Sequence, residues 1–357
     1  MLNKKLFFTS YILLILSSAL CMAQETNDVF WQGFASPASF GKPFWADMHS
    51  TLIRAEIAYA TGSPDYDWAD VNKSFRPFIF TNLGVDIPIW SDNFSNGKFG
   101  LSFTLPFMVD LWLDRFDGDG IQTDAVINTS YRFGLIETGF IYRLNSPLLD
   151  LPYFSIYNWA VKLTFFKHES THIGDELAIR RKDLNLPITR IDVASNYAEL
   201  IFILNDPDGY TRLNHGFKFG FLLLHNFKRG WYKVYETEAQ ADLVERSQVP
   251  FELYIQYQFQ SSLFWQWFQI IASIEYRLSE RYKYPFSYSE ATSYITYNET
   301  NLVNCFNFFA GIRFDNKKNN YFSKIGMGIR YYTGINPYGQ FRSMPYFNQL
   351  GFAVIFE

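Results

Sequence analysis

The amino-acid sequence predicts an all-β chain, a transmembrane antiparallel β-barrel of about 12 strands. Three observations predict it. Segments of alternating apolar and polar residues follow one another from Ser50 to the last residue. Aromatic residues make up 20% of the chain and charged residues only 18%, the balance of a wall that hides its apolar side by alternation. Apart from the third and fourth, the connections between segments alternate between long and short, as outer loops and periplasmic turns do. No stretch of 18 or more apolar residues follows residue 20, so no membrane-spanning helix is expected beyond the N-terminus.

Residues 1–23 read as a secretory signal. Asn3, Lys4 and Lys5 make a charged start, Leu6 to Leu20 is apolar, and Ala23 offers a small residue before Gln24. A lipoprotein signal anchored at Cys21 is the competing reading, but Leu20 stands where a small residue is wanted. Cleavage after Ala23 leaves Cys305 without a partner, which excludes an internal disulfide and a cysteine metal site. The formal charge of −4 becomes more negative once Lys4 and Lys5 are gone. No basic patch with interleaved aromatics stands out, so nucleic acid is not an expected partner. The expected address is the outer membrane of a Gram-negative cell, with its lipid as a partner.

Residues 24–46 mix Gly, Pro and Ser with aromatics and form an N-terminal segment in the periplasm or at the barrel mouth. Residues 47–357 are the barrel. Its expected strands lie near 50–60, 78–90, 98–113, 124–142, 156–170, 191–205, 213–226, 249–260, 264–279, 303–315, 322–334 and 347–357. The stretch 231–246 reads either as a helix in a loop or as an extra strand. An even count places both chain ends in the periplasm, and the odd-numbered connections then face outward.

Charges belong in the lumen, because a basic residue facing lipid at mid-depth costs about 2–4 kcal/mol. Arg54, Glu56, Asp86, Arg132, Lys162, Lys218, Glu275, Arg277, Arg313 and Arg330 share that face by parity. Ile57, Tyr59, Phe219, Phe221, Met327, Ile329 and Phe352 take the other. Acids and bases share that face, which predicts a paired network in place of a wide pore. Glu199 breaks the pattern: with Glu199 in the lumen, Asp192 and Asn196 face the other way unless a bulge intervenes.

The fifth segment carries the candidate chemistry. Trp159, Val161, Leu163 and Phe165 alternate with Lys162, Thr164, Phe166, His168, Ser170 and His172. Simple alternation sends the second set to the lumen. Gly174 permits a turn, and Asp175 and Glu176 follow it, so these residues are expected to gather at the outer rim. His168 and Ser170 are two residues apart on one face, about 6.5–7 Å between Cα atoms, within reach for a base that activates a nucleophile. A metal held by His168, His172, Asp175 and Glu176 requires a turn near Ser170, since an extended strand separates the histidines by about 13 Å. Asp114, Asp117 and Asp119 resemble a calcium loop but have Ala125 where the bidentate Glu belongs. No metal or cofactor is therefore expected.

The His168-x-Ser170 pair resembles that of outer-membrane phospholipase A and of barrel lipid A deacylases. In those families the pair faces the membrane, whereas alternation turns it inward here. Over a longer span, His168, Ser170, His172, Gly174, Asp175 and Glu176 resemble the His-x-Ser-Ser-His-x-Gly-Asp-Glu strand end of an uncharacterised family of bacterial outer-membrane barrels, with Thr171 for the second Ser. Asn336 to Phe341 resembles a second motif of that family and Asp124 to Tyr131 a looser third. This resemblance implies a barrel and an outer-membrane address and no established activity. The leading expectation is a barrel that binds or passes a small polar ligand or lipid headgroup at its outer mouth, through His168, Ser170, His172, Asp175, Glu176, Asn336 and Gln340. A lipid or lipid A acyl hydrolase with Ser170 and His168 as catalytic residues is the second, and a structural barrel without a ligand the third.

Overall fold

The computed structural model describes residues 53–61, 63–64, 71–72, 76–94, 97–112, 128–151, 154–173, 189–204, 213–235, 238–245, 251–265, 267–281, 301–315, 324–335 and 347–356. Twelve long strands build the wall: β1 (Ile53–Ala60), β2 (Arg76–Phe94), β3 (Gly97–Trp112), β4 (Asn128–Arg143), β5 (Asn158–Ile173) and β6 (Thr189–Leu204). They continue as β7 (Leu213–Tyr235), β8 (Phe251–Trp265), β9 (Phe268–Arg281), β10 (Asn301–Asp315), β11 (Lys324–Gly334) and β12 (Phe347–Phe356). Each pairs antiparallel with its neighbours in sequence. The ring closes where β1 pairs with β12, Ile53 opposite Phe356, and β6 pairs with β7, Leu204 opposite Phe217. All twelve expected segments are strands. The N-terminal segment expected over 24–46 falls outside the described residues.

The described residues of 231–246 are strand and not helix. β7 runs on to Tyr235, well past the residue where it leaves β8, and residues Glu238–Glu245 pair back onto it. This arm pairs with β7 alone and so adds no member to the ring. The added residues gain ladder bonds with β6 as far as Lys233 and with the arm from Arg229 to Tyr235, and a helix there would forfeit them.

Burial separates the two faces as parity predicts. Arg54, Glu56, Lys218, Gln256, Gln258, Glu275, Arg277, Arg313 and Arg330 are buried inside. Ile57, Tyr59, Phe219, Phe221, Met327, Ile329 and Phe352 are exposed, Ile57 by 68%. A closed ring satisfies every mid-strand backbone group without water, and its apolar outer face meets lipid directly. This is the architecture of an outer-membrane β-barrel. Rings cluster at the end where Trp265 on β8 stands opposite Phe268 on β9: Phe268 and Phe314 lie with centroids 5.4 Å apart. Phe140 and Trp159, 5.1 Å apart, mark the same level on the far side of the ring. Aromatic girdles of this kind sit at the membrane interface.

A row of bulges crosses the wall from β3 to β7. Register slips by one residue between Ser102 and Thr104 on the β3–β4 pair, between Tyr197 and Glu199 on β5–β6, and between Asn196 and Tyr197 on β6–β7. Two residues on the bulged strand then oppose one on its partner, and face parity reverses beyond that point. On β4 the doublet Leu135-Ile136 falls at the slip, and on β5 the doublet Phe165-Phe166. The bulges on β4 and β5 lie side by side, so those two strands stay in register with each other throughout.

Candidate functional site

Two regions carry chemistry, the lumen and the outer part of β4–β6 above the bulges. In the lumen, Glu56 on β1 anchors one cluster. Arg330 on β11 grips it with two hydrogen bonds, Nε to Oε2 at 2.6 Å and Nη2 to Oε1 at 3.0 Å. Gln349 on β12 adds a third from Nε2 to Oε1 at 2.7 Å. The Arg330–Glu56 pair reaches over β12 at Gly351, which stands opposite both Arg330 and Ala58. A Cβ at Gly351 would overlap the Glu56 carboxylate, so only glycine leaves this path open.

A second cluster is built the same way on the far side. Tyr254 on β8 stands opposite Gly220 on β7, and its ring fills the space a Cβ at Gly220 would take. Its hydroxyl thereby reaches β6 and donates to Glu199 Oε1 at 2.7 Å. Arg277 sits 4.4 Å from the ring centroid and Lys218 5.4 Å, both as cations over a π face. Arg277 Nε donates to Glu275 Oε1 at 2.9 Å and Nη1 to Glu252 Oε2 at 3.5 Å. Gln256 also donates to Glu275, while Gln260 and Arg313 both donate to Gln269.

These side chains are all but closed to water. Glu56, Gln256, Arg313 and Arg330 are each 2% exposed or less. An ion left alone at such a depth costs several kcal/mol, and pairing offsets that cost only with satisfied hydrogen bonds. Arg330 takes Glu56 as its partner, in keeping with the expected paired network. Glu275 takes Arg277, its neighbour two residues on, so the second cluster is more local than parity alone implied.

The candidate rim residues are divided. Asp175, Glu176, Asn336 and Gln340 fall outside the described residues, as does the acidic loop Asp114 to Gly120. His168, Ser170 and His172 lie in β5, and the expectation that they share the lumen face of Lys162 and Thr164 does not hold. Thr164 is opposite Glu199, both buried in the lumen, but three residues later Lys167 is opposite Tyr197, also buried there. The bulge at Phe165-Phe166 has moved the lumen face onto odd-numbered positions. His168, Ser170 and His172 therefore occupy register positions on the membrane-facing side. Their β6 partners are Asn196, Ala194 and Asp192, and their β4 partners are Phe133, Tyr131 and Thr129. Arg132 stands opposite Glu169 on the lumen side of the same grid.

Asn196 and Asp192 were not singled out as site residues by sequence. The signal was the conflict between Glu199 and these two, which resolves as parity required: β6 keeps its own alternation, so Glu199 faces in and Asn196 faces out. The apolar doublet Phe165-Phe166 was the other mark, two successive rings where strict alternation allows one.

No family model matches the chain, and no curated protein matches it. Among solved structures it is similar to the translocator domain of the autotransporter NalP from Neisseria meningitidis, at 8% identity and a TM-score of 0.42 over 85% of this chain and 86% of that one. It is similar to the toluene transporter TodX of Pseudomonas putida, at 9% identity and a TM-score of 0.42 over 92% and 96%. It is also similar to outer membrane phospholipase A from Escherichia coli, at 11% identity and a TM-score of 0.39 over 92% and 96%. At these values the likeness says nothing about activity.

Proposed function

We propose that the protein binds the headgroup of an outer-membrane lipid at the outer part of β4–β6, on the membrane-facing side of a barrel whose lumen is filled. The observation that supports this reading is the bulge at Phe165-Phe166, beyond which the register positions of His168, Ser170 and His172 are those of the lipid side, opposite Asn196, Ala194 and Asp192. A polar grid facing lipid at mid-depth is costly, but near the interface the cost falls to about 0–1 kcal/mol. Imidazole, hydroxyl and amide groups there give hydrogen-bond partners to phosphate and sugar hydroxyls. A polar ligand held inside the outer mouth, by Asn336 and Gln340 among others, is the narrower remnant of the first expectation. The resemblance to the uncharacterised barrel family accords with this reading and adds no activity to it.

Binding of fluorescently labelled lipid A to the purified protein in detergent tests the reading. His168→Ala and His172→Ala should each weaken binding at least severalfold while leaving heat-modifiable gel migration intact. Unchanged binding in both variants contradicts it.

A further inference from the structure

β7 leaves the membrane well before it ends. Its ladder with β8 runs from Leu213 to Leu223. At about 3.4 Å per residue and about 40° of tilt, that ladder covers the roughly 25 Å height of an apolar band. The arm Glu238–Glu245 pairs with β7 only from Arg229 to Tyr235, further along the strand. It therefore stands in water, on the outer side in the orientation set by the long and short connections. β6 takes one edge of this part of β7 and the arm takes the other, which makes the arm the last strand of the sheet. The second edge of the arm pairs with no strand among the described residues.

Such an edge offers a row of main-chain N–H and C=O groups, a template for one more strand. Lysine, proline or a bulge commonly blunts it. The arm, EAQADLVE, has neither Lys nor Pro, and its one irregularity is the register slip at Asp242. A second copy of the chain suits the edge poorly. Two arms in full antiparallel register would set Glu238 opposite Glu245, and like charges directly opposed weaken a ladder. β7 shows what kind of strand suits the arm: it brings Arg229 opposite Glu245, with Lys233 four residues on. We infer that the open edge of Glu238–Glu245 is a docking site for an extended, basic segment of an extracellular polypeptide, which joins the sheet as an added strand. Main-chain hydrogen bonds supply affinity in this mode of recognition, and the acids of the arm select for a basic partner. The site lies apart from the lipid-facing wall of β4–β6 and does not depend on lipid binding there.

The full-length protein in detergent and two fluorescent eight-residue peptides provide the assay, one peptide alternating Lys with Thr and the other Glu with Thr. Anisotropy reads binding, and hydrogen–deuterium exchange reads the amides of the arm. Successive amides of a strand point to opposite neighbours, so those of the free arm should divide into a slow set and a fast set. The Lys peptide should bind at least 10-fold more tightly than the Glu peptide and should slow the fast set. A Lys–Thr peptide with every amide N-methylated keeps its charge, loses its donors and should bind at least 10-fold more weakly. The double variant Glu238→Lys, Asp242→Lys should reverse the preference and favour the Glu peptide.

No binding of the Lys peptide by wild type overturns the inference. Equal binding of the N-methylated peptide overturns it as well, since charge would then act without strand pairing. Uniformly slow exchange along the arm of the free protein does the same: in a monomer it means an edge already covered by the chain, and in a dimer an edge taken by a second copy. An unchanged preference in the double variant places the peptide elsewhere on the molecule and overturns the assignment to the arm.

Discussion

Tyr254 on β8 donates a hydrogen bond to Glu199 on β6 at 2.7 Å, and the strand between them contributes a glycine, Gly220, where the ring passes. The same device recurs where Arg330 meets Glu56 above Gly351. In each case a long side chain crosses one strand to tie its two neighbours together. Ladder hydrogen bonds link only adjacent strands, so these bridges add a second layer of connection across the lumen.

Tyr254→Phe removes the donor to a buried carboxylate and should destabilise the barrel by about 1–3 kcal/mol. Gly220→Val should cost more, since it displaces the ring and strands Glu199 together with the cations stacked on Tyr254. Urea unfolding in lipid vesicles, followed by tryptophan fluorescence, measures both. Equal stability of Gly220→Val and wild type would show that the ring does not occupy that space.

Breaking the Glu56–Arg330 pair from one side should be worse than removing it. Glu56→Ala leaves Arg330 buried beside an empty position and is expected to cost about 3–5 kcal/mol. The double variant Glu56→Leu, Arg330→Met should recover much of that loss, because apolar groups of similar volume need no partner. The same unfolding assay decides the order, and a double variant less stable than Glu56→Ala refutes it.

Sequence alone was enough for the wall and not for the site, and the reason is local. Period-two alternation specifies a face wherever it runs unbroken, as from Arg54 to Ala60 or from Phe251 to Gln260. It says nothing of a bulge, which depends on how two strands meet and not on either one. One inserted residue at Phe165-Phe166 reversed the side of His168, Ser170 and His172. Cross-strand partners were equally hidden, because Asn196 and His168 meet only through the register of a hairpin. The pairing of Glu275 with Arg277 needed side-chain geometry. The extension of β7 past Asn226 was obscured by a stretch whose periodicity fits two structures.

The filled lumen predicts little passive conduction. Planar-bilayer recordings of the purified protein should show no steady open channel, because Arg54, Glu56, Arg313 and Arg330 are all but inaccessible to water. The variant Glu56→Ala, Arg330→Ala clears part of that packing and should conduct more than wild type. Conductance of porin size in the wild type would mean that the network does not occupy the channel.

The face reversal on β5 is the claim on which the lipid reading depends most, and a spin-label scan tests it directly. Single cysteines from Lys162 to His172, in a Cys305→Ser background and carrying a nitroxide, are probed in vesicles for collision with oxygen, which concentrates in lipid. Oxygen accessibility should peak at 163 and 165, then at 168, 170 and 172, with minima at 162, 164, 167, 169 and 171. A slip of one residue between 164 and 167 is the predicted result. Unbroken alternation, with Ser170 in phase with Thr164, would return the histidines and the serine to the lumen and contradict the account.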